Sequence, residues 1–280
     1  MARVRVITDS ACDLKPALAS EHDITIVPLS IRFGSEEFID GETLDTAEFW
    51  RRCAASAVLP ETAAPSPGAF QKAFLQAAED GYDGVVCLNL SAELSGTHQS
   101  ARTAADAVSG TIPVSVVDTR SVTMGQGLIA LAAAETASSG ASVEDVVAQV
   151  EHLIPRTKVY GAVDKLDHLE KGGRIGGARA LLGSLLSIKP VIMVADGVVE
   201  EESKQRTRTR SLRYLADKVR AAGPISRLAI CNGQATDIDE FVAMFQGIET
   251  EFPLVIVDLG PVVGTHTGPG TVGACLIKAG

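Results

Sequence analysis

Long apolar runs and cysteine pairs are missing from this chain of 280 residues, and both absences restrict what it can be. No apolar stretch approaches the roughly 20 residues that a transmembrane helix needs, so we expect no stable membrane insertion. The first residues, MARVRVITDS, lead directly into a predicted strand and contain no apolar segment typical of an export signal. The five cysteines are widely spaced without a C-x-x-C pair, which argues against disulfides and zinc and favours a reducing, cytoplasmic compartment.

The sequence also lacks the usual signatures of catalysis and metal binding. It contains no G-x-x-x-x-G-K-[ST] phosphate loop, no G-x-G-x-x-G nucleotide loop and no G-x-S-x-G nucleophile turn. The five histidines never occur at the spacing of metal ligands. We therefore expect a non-catalytic protein that has no catalytic residues, no metal ion and no cofactor.

Basic residues are outnumbered, and the formal net charge of −10 argues against nucleic acid as the main partner. The exception is the segment KQRTRTRSLRYLADKVR at 204–220. Its pattern is typical of a solvated helix face, and the alternative is a docking patch for an acidic partner protein. If it is a docking patch, Arg206, Arg208 and Arg210 are its candidate contact residues.

Short apolar runs alternate with longer amphipathic stretches along the chain, which predicts an α/β fold. Most runs are continuous rather than alternating, which is typical of parallel strands covered on both faces. We expect two α/β lobes with largely parallel sheets, residues 1–160 and 161–280, with the ligand held between them. The predicted strands are 4–8, 24–33, 84–90, 114–118, 158–163, 189–194, 227–232 and 253–259, and the predicted helices are 67–80, 97–108, 124–138, 142–154, 203–222 and 235–247.

Hydroxyl side chains lie at the ends of several predicted strands, and a parallel sheet would bring them to one edge. They occur in the segments TDS, SAELSGT, TRSVTMGQG and PETAAPSPG. Helix N-termini at such an edge favour anions, but serine and threonine are also the preferred N-caps. We expect Ser10 and Ser121 to be caps. Ser95 is the better candidate for a ligand contact, because Gly96 allows close approach of the backbone and Thr97 can cap the next helix.

Two glycine-rich segments carry further candidate site residues. His266 lies in GTHTGPG, where glycine and proline restrict the backbone and could aim the imidazole, although a plain loop histidine is the alternative. Arg174 lies between the glycine pairs of GGRIGG, ahead of a helix rich in leucine, alanine, glycine and serine. Small residues over 169–192 indicate either tight helix packing or room for a slender apolar ligand.

The chain resembles the DegV family of bacterial lipid-binding proteins along nearly its whole length. The resemblance rests on VITDSACDL, SAELSGTHQSA, VVDTRSVTMGQG, LEKGGRIGG with LLSIKPVI, and HTGPG, in this order. It implies a two-domain α/β fold that holds one long-chain fatty acid, such as palmitate or oleate, between the domains. It also implies that the protein presents the carboxylate of this acid to a separate ATP-dependent kinase subunit, which makes acyl phosphate for phospholipid synthesis.

The resemblance also assigns site residues by position. The carboxylate contacts correspond to Thr62 and to Ser95, which precedes Gly96 in the family's S-G-T turn. His266 corresponds to a third polar residue near the head group, and Arg174 to an arginine close to the site. One departure is visible, because the family usually has Thr-Ser-x-Pro where this chain has TAAP at 62–65, so one hydroxyl beside the head group is lost.

Two other functions compete with the carrier. A hydrolase or acyl transferase could use Ser95 or Thr62 as nucleophile with His266 as base, but no third triad member is evident. A sugar-binding protein related to phosphotransfer is the other alternative, because the family's first lobe resembles that of dihydroxyacetone kinases. A lipid that stays bound during purification would separate the carrier from both.

Overall fold

The computed structural model describes residues 2–56, 58–182 and 188–280 and folds them as a mixed α/β protein. The strands are β1 (Val4–Asp9), β2 (Ile24–Val27), β3 (Ser30–Phe33), β4 (Glu36–Ile39), β5 (Glu61–Ala63), β6 (Gly84–Asn89), β7 (Val114–Asp118), β8 (Thr157–Ala162), β9 (Lys189–Ala195), β10 (Val198–Gln205), β11 (Ile225–Gly233), β12 (Val255–Asp258) and β13 (Thr271–Lys278). The α-helices are α1 (Pro16–Glu21), α2 (Thr46–Ala55), α3 (Pro67–Glu79), α4 (Thr97–Val108), α5 (Met124–Ser138), α6 (Val143–Leu153), α7 (Asp167–Lys171), α8 (Arg208–Arg220), α9 (Ile238–Ala243) and α10 (Pro261–Thr267). Short 3₁₀ turns cover Ser10–Cys12, Ile154–Arg156 and Gly176–Leu181.

The first sheet is parallel, in the order β2-β1-β6-β7, as the continuous apolar runs predict. All six residues of β6 are buried, because helices cover both faces of the sheet. The single strand predicted over 24–33 is wrong. Its second half is β3, which pairs with β4 and β5 in a separate antiparallel sheet, and the break falls at Pro28, which has no N–H for a ladder.

The second sheet has six strands in the order β10-β9-β8-β13-β11-β12, and it is mostly antiparallel. Among its described strand pairs only β11 and β12 run parallel, so the expectation of parallel strands is wrong here. Three of the four antiparallel pairs described involve β10 or β13, two strands that the sequence analysis does not predict. One of them, β10, follows an Asp196-Gly197 turn in which both residues have positive φ, the usual signal of a two-residue hairpin.

The predicted helices at 97–108 and 124–138 are confirmed as α4 and α5, and those at 67–80 and 142–154 as α3 and α6. The helix predicted over 203–222 is shorter, because residues 203–205 belong to β10 and α8 begins after the Thr207 cap. The segment predicted over 235–247 contains only the short helix α9. No helix within the described ranges is both long enough and apolar enough to cross a membrane.

Helix α5 lies between the two large sheets, and nearly all of its side chains are buried. Its sequence, MGQGLIALAAAETAS, is rich in small residues, which allow both sheets to approach it closely. One apolar cluster accordingly contains Val6 of the first sheet together with Val159 and Cys275 of the second. The lobe boundary at residue 160 stays a prediction. The two halves share a continuous core around α5.

Candidate functional site

A small cavity lies where the two halves of the chain meet, and its walls are mostly leucine and valine. Its volume is about 70 Å³. Both halves contribute, since Leu90 and Leu94 follow β6 while Val262 and Val263 belong to α10. The polar residues on its wall include four that the sequence analysis predicted: Thr62, Ser95, Arg174 and His266. Residues 204 positions apart are thus brought together by the packing of α10.

Thr62 and His266 are in direct contact. The Oγ1 atom of Thr62 lies 2.9 Å from Nε2 of His266. Thr62 is held in β5, while His266 lies at the end of α10, which stops at Gly268 with φ of +75°. Helix α10 is seated tightly, because a Cβ atom at Gly264 would lie 2.7 Å from the Phe49 ring.

The imidazole of His266 is held in its neutral form. Burial, together with the positive charge of Arg174 and the neighbouring His168, lowers its pKa to about 4, and burial is the largest of these causes. Its Nδ1 atom is buried and has no hydrogen-bond partner among the described residues. This atom faces Gly172, where an added Cβ would lie only 2.4 Å away. The glycine pair of GGRIGG therefore makes room for the imidazole, a role that the sequence alone did not suggest.

Arg174 joins the two sides of the cavity. Its Nε atom donates to the Leu94 carbonyl at 3.0 Å, and its Nη1 atom donates to the Gly172 carbonyl at 2.7 Å. Leu94 precedes Ser95, so the arginine fixes the loop that carries this candidate contact. The guanidinium group is partly buried, which strengthens its attraction for an anion at the cavity wall.

Ser95 borders the cavity, but Gly96 does not line it. The Oγ atom of Ser95 accepts a hydrogen bond from the Thr97 N–H at 3.3 Å and lies 2.9 Å from the Thr97 hydroxyl oxygen. Gly96 has an ordinary φ of −71° and open space where a Cβ would lie, so the fold itself does not require glycine here. Gly96 is the N-cap of α4, and the prediction that Thr97 caps this helix is wrong, because Thr97 is its first residue.

Ser10 and Ser121 are not helix caps, so that prediction is wrong. The Oγ atom of Ser10 accepts from the Leu29 N–H at 3.1 Å, and the cap of the 3₁₀ turn that follows β1 is Asp9. The hydroxyl of Ser121 is buried without a partner in the described part of the chain. Ser91, another hydroxyl after β6, donates to the Gly197 carbonyl at 2.7 Å and ties the loop after β6 to the turn between β9 and β10.

An open cleft of about 550 Å³, which we call the outer cleft, lies on the other side of the same polar residues. Thr62, Arg174 and His266 line both the cavity and the outer cleft, so they form the neck between them. The outer cleft is further lined by Lys171, which is exposed, and by Glu61, which forms an ion pair with Arg32. An apolar interior thus meets solvent through a polar, partly cationic neck.

The small residues that follow Arg174 pack tightly in the part of this segment that the structure describes. A Cβ at Gly176 would lie 2.2 Å from the Val199 carbonyl oxygen, and one at Gly177 would lie 1.8 Å from the Glu200 carboxylate. Both glycines thus allow close contact with β10. Residues 183–187, on which the prediction of room for an apolar ligand also rests, lie outside the described residues.

The basic segment divides into paired and exposed residues. Arg208 is bound by Asp237, with its Nε atom 2.9 Å from Oδ2, and lies 3.7 Å from an oxygen of Asp164. It therefore stabilises the fold. Arg206 and Arg210 are exposed. Within the described ranges, no cluster of three histidine, cysteine or acidic residues could hold a metal ion.

Comparison with known proteins places the chain in one family over almost its full length. Residues 3–279 match the family described as "Uncharacterised protein, DegV family". A DegV domain-containing protein of Streptomyces coelicolor is 37% identical over 280 residues, covering 96% of each chain.

Solved structures show the same likeness. A fatty-acid-binding DegV family protein of Thermus thermophilus is similar with a TM-score of 0.90 and 32% identity, covering 99% of this chain and 100% of that one. A stearic-acid-binding protein of Eubacterium ventriosum has a TM-score of 0.90 and 27% identity, covering 99% of this chain and 98% of that one. On the sequence match and this shared fold, the chain belongs to the DegV family.

Proposed function

We propose that this protein binds one long-chain fatty acid without a covalent bond. The observation that carries the proposal is the neck, where Thr62, Arg174 and His266 separate an apolar cavity from an open cleft. An amphiphile fits this arrangement with its carboxylate at the neck and its tail inside. The similar proteins of Thermus thermophilus and Eubacterium ventriosum, which bind fatty acids, support the same assignment.

The tail supplies most of the affinity in this proposal. Burying about fourteen methylene groups at about 0.8 kcal/mol each gives roughly 11 kcal/mol before the costs of association. A hydrogen bond to the charged carboxylate adds only about 1.5–3 kcal/mol. The head-group contacts are still required, because a buried carboxylate without partners would cost several kcal/mol. Arg174 supplies the compensating charge, since the imidazole of His266 is neutral.

The cavity must widen to hold a whole acyl chain. Its volume of about 70 Å³ accommodates roughly two or three groups of the size of water. A long chain therefore requires the apolar walls to separate, including Leu169 and Val199 on the side of the second lobe. These side chains are not tied by hydrogen bonds, and their rearrangement costs packing rather than polar contacts.

Organic extraction of freshly purified protein, followed by mass spectrometry, tests the binding proposal. About one fatty acid per chain is expected, and the extract reports the acyl preference directly. The control is the same extraction after the protein has been stripped and incubated with palmitate or oleate. A protein that is empty and also refuses both added acids contradicts the proposal.

We further propose that the bound carboxylate is presented through the outer cleft to an ATP-dependent kinase subunit, which places the protein in the cytoplasm. The five free cysteines agree with a reducing compartment.

Exposed Arg206 and Arg210 are the candidate docking contacts, and glutamate at both positions should impair phosphorylation without changing lipid content. Ser95→Ala should weaken phosphorylation more than lipid retention, because its hydroxyl orients the head group, and equal losses in the two assays refute that role.

One observation favours a second candidate, a hydrolase or acyl transferase. The 2.9 Å contact between the Thr62 hydroxyl and the His266 imidazole is the geometry of a nucleophile and its base. The carrier is favoured because Nδ1 of His266 faces Gly172 rather than a carboxylate that would orient the ring. A burst of product from an activated ester that disappears in Thr62→Ala would support the enzyme.

A further inference from the structure

We infer that a second pocket, remote from the neck, binds a free alkylamine whose ammonium group pairs with the carboxylate of Asp40. We call it the acidic pocket. Its volume is about 370 Å³, within the range of about 300–1,000 Å³ that is usual for small-ligand sites. Its lining carries four carboxylates, those of Asp13, Asp40, Glu42 and Asp258, against one cation, Lys15. None of the described residues that line it also lines the cavity or the outer cleft, so the inference does not depend on fatty-acid binding.

The acidic pocket lies at the carboxyl ends of three strands. Ser10 and Asp13 follow β1, Pro28 follows β2, and Asp258 is the last residue of β12. Strands β1 and β2 are parallel neighbours, and ligands of parallel sheets bind in the crevice outside the carboxyl ends of the strands. The fold therefore places these carboxylates at an edge that favours a ligand.

The carboxylate of Asp40 is buried in the wall of this pocket without a positive partner. Asp40 is only 9% exposed. Its donor is the hydroxyl of Ser10, whose Oγ atom accepts from the Leu29 N–H at 3.1 Å. A carboxylate has about four acceptor sites, so most of those of Asp40 have no donor among the residues that the structure describes. Burial of such a charge is costly unless a cation pairs with it, and an ammonium group supplies both the charge and the missing N–H donors.

Asp13 is the second buried carboxylate of the acidic pocket. Its oxygens accept from the Thr123 hydroxyl at 2.6 Å and from the Gly260 N–H at 2.9 Å. Both donors are neutral, so they leave the charge of Asp13 uncompensated. In the part of the chain that the structure describes, no lysine or arginine forms an ion pair with any of the four carboxylates. The pocket therefore concentrates negative charge that a bound cation would neutralise.

The spread of the carboxylates favours an elongated cation over a metal ion. Across residues 2–56, 58–182 and 188–280, no three acidic, histidine or cysteine side chains lie close enough together to hold a metal. Asp13 and Asp40 are buried. Glu42 and Asp258 are exposed. An alkyl stem packs well against apolar side chains while its ammonium group pairs with a carboxylate, and the apolar lining consists of Leu14, Pro16, Ile26, Pro28 and Pro261.

Binding of a cation here should release protons. Burial raises the pKa of Asp40 to about 6, and burial together with the charges of Asp40 and Asp9 raises the pKa of Asp13 to about 7. A cation favours the ionised form of both carboxyl groups, so the affinity should increase as the pH rises from 5.5 to 8. The other charged or titratable groups beside these two carboxylates are Asp9, Lys15, Glu42, Asp258 and the thiols of Cys12 and Cys275.

Isothermal titration calorimetry of the full chain with butylamine tests the site. Asp40→Asn should weaken butylamine binding at least about tenfold, because it removes a hydrogen-bonded charge pair. Asp106→Asn is the matched control. It removes the same charge from an exposed position of α4 that does not line the pocket, and it should leave the affinity within about twofold.

The parent protein provides a test that needs no variant. Titrations at pH 6.5 in buffers of different ionisation enthalpy count the protons released on binding, and butylamine itself stays protonated at this pH. About half a proton to one proton per bound amine is expected from the two carboxyl groups. Release of no proton overturns the inference.

Four other results also overturn it. The first is a parent protein that binds no butylamine at millimolar concentration. The second is an equal loss of affinity in Asp40→Asn and Asp106→Asn. The third is calcium that binds more tightly than butylamine and depends on Asp40, which would make the pocket a metal site. The fourth is tighter binding of Nα-acetyl-lysine amide than of butylamine, which would make a lysine of a partner protein the occupant.

Discussion

Gly172→Ala is the sharpest perturbation of the candidate site that the structure offers. The backbone at Gly172 has φ of −75°, so alanine meets no conformational strain there. Its Cβ would, however, lie 2.4 Å from Nδ1 and 3.1 Å from Cε1 of His266. Ordinary van der Waals contact begins at about 3.4 Å, so the imidazole has to move by about 1 Å. The hydrogen bond between His266 and Thr62, now 2.9 Å long, is then lost.

The size of the effect follows from the contact that is lost. Overpacking of this kind costs about 1–3 kcal/mol of the free energy of unfolding. Displacing the imidazole removes the partner that orients the Thr62 hydroxyl at the neck. Loss of the hydrogen bond from that hydroxyl to the charged ligand is worth about 1.5–3 kcal/mol, so palmitate should bind roughly 10- to 100-fold more weakly. Displacement of a fluorescent fatty-acid analogue from stripped protein measures this affinity, and urea denaturation measures the stability.

A double-mutant cycle separates the clash from other effects of the methyl group. In the His266→Ala background the contacts with the imidazole are gone and only the approach to the His168 carbonyl oxygen, at 2.9 Å, remains. Gly172→Ala should therefore cost less stability there than in the parent protein, and the coupling should exceed about 1 kcal/mol. Gly110→Ala is the control, because no atom lies within 4 Å of its Cβ position. The reasoning is refuted if Gly172→Ala costs the same stability in both backgrounds.

Two further predictions concern pH and the cavity. Burial raises the pKa of Asp13 to about 7, so the folded chain binds a proton between about pH 4 and pH 7 that the unfolded chain does not, and stability should fall as the pH rises through this window. Asp13→Asn should reduce this pH-dependent loss in the free energy of unfolding by up to about 4 kcal/mol. Urea unfolding at a series of pH values measures it, and a variant with the same pH dependence as the parent protein would contradict the prediction. Val199→Phe, which fills the cavity, should weaken palmitate binding at least about tenfold. Val163→Phe, in the same apolar cluster but outside the cavity, controls for overpacking, and equal losses in both variants would contradict a role of the cavity.

Much of the first half of the chain could be predicted because its structure is local. The run GVVCLN is apolar at nearly every position, so burial on both faces follows from composition alone. The helices at 97–108 and 124–138 are both rich in alanine, the residue with the highest helix propensity. The second half of the chain is less predictable, because VVEEESKQ alternates weakly and is rich in charge, yet it pairs with β9 as one half of a hairpin. Its turn, Asp196-Gly197, is a hairpin signal in the sequence, whereas hydrophobic periodicity alone does not predict this strand.

Most residues of the candidate site could also be predicted from the sequence. The motifs and the family resemblance predict Thr62, Ser95, Arg174 and His266 as site residues, and the structure brings each of them to one cavity. The sequence could not show that Gly96 stays off the cavity wall, or that Ser10 binds a backbone N–H instead of capping a helix. Those outcomes depend on side-chain directions that neighbouring elements impose.

Local composition and spacing determined that this chain forms an α/β protein with widely spaced cysteines and with hydroxyl side chains at the ends of its strands. Only the tertiary structure decided that α10 packs against β5, so that Thr62 meets His266 across 204 positions of sequence. It likewise decided that Gly172 makes room for the imidazole and that the neck separates an apolar cavity from a cationic cleft. The physical reason is that propensity and periodicity act over a few residues, whereas a binding site is made by the packing of distant segments around one core.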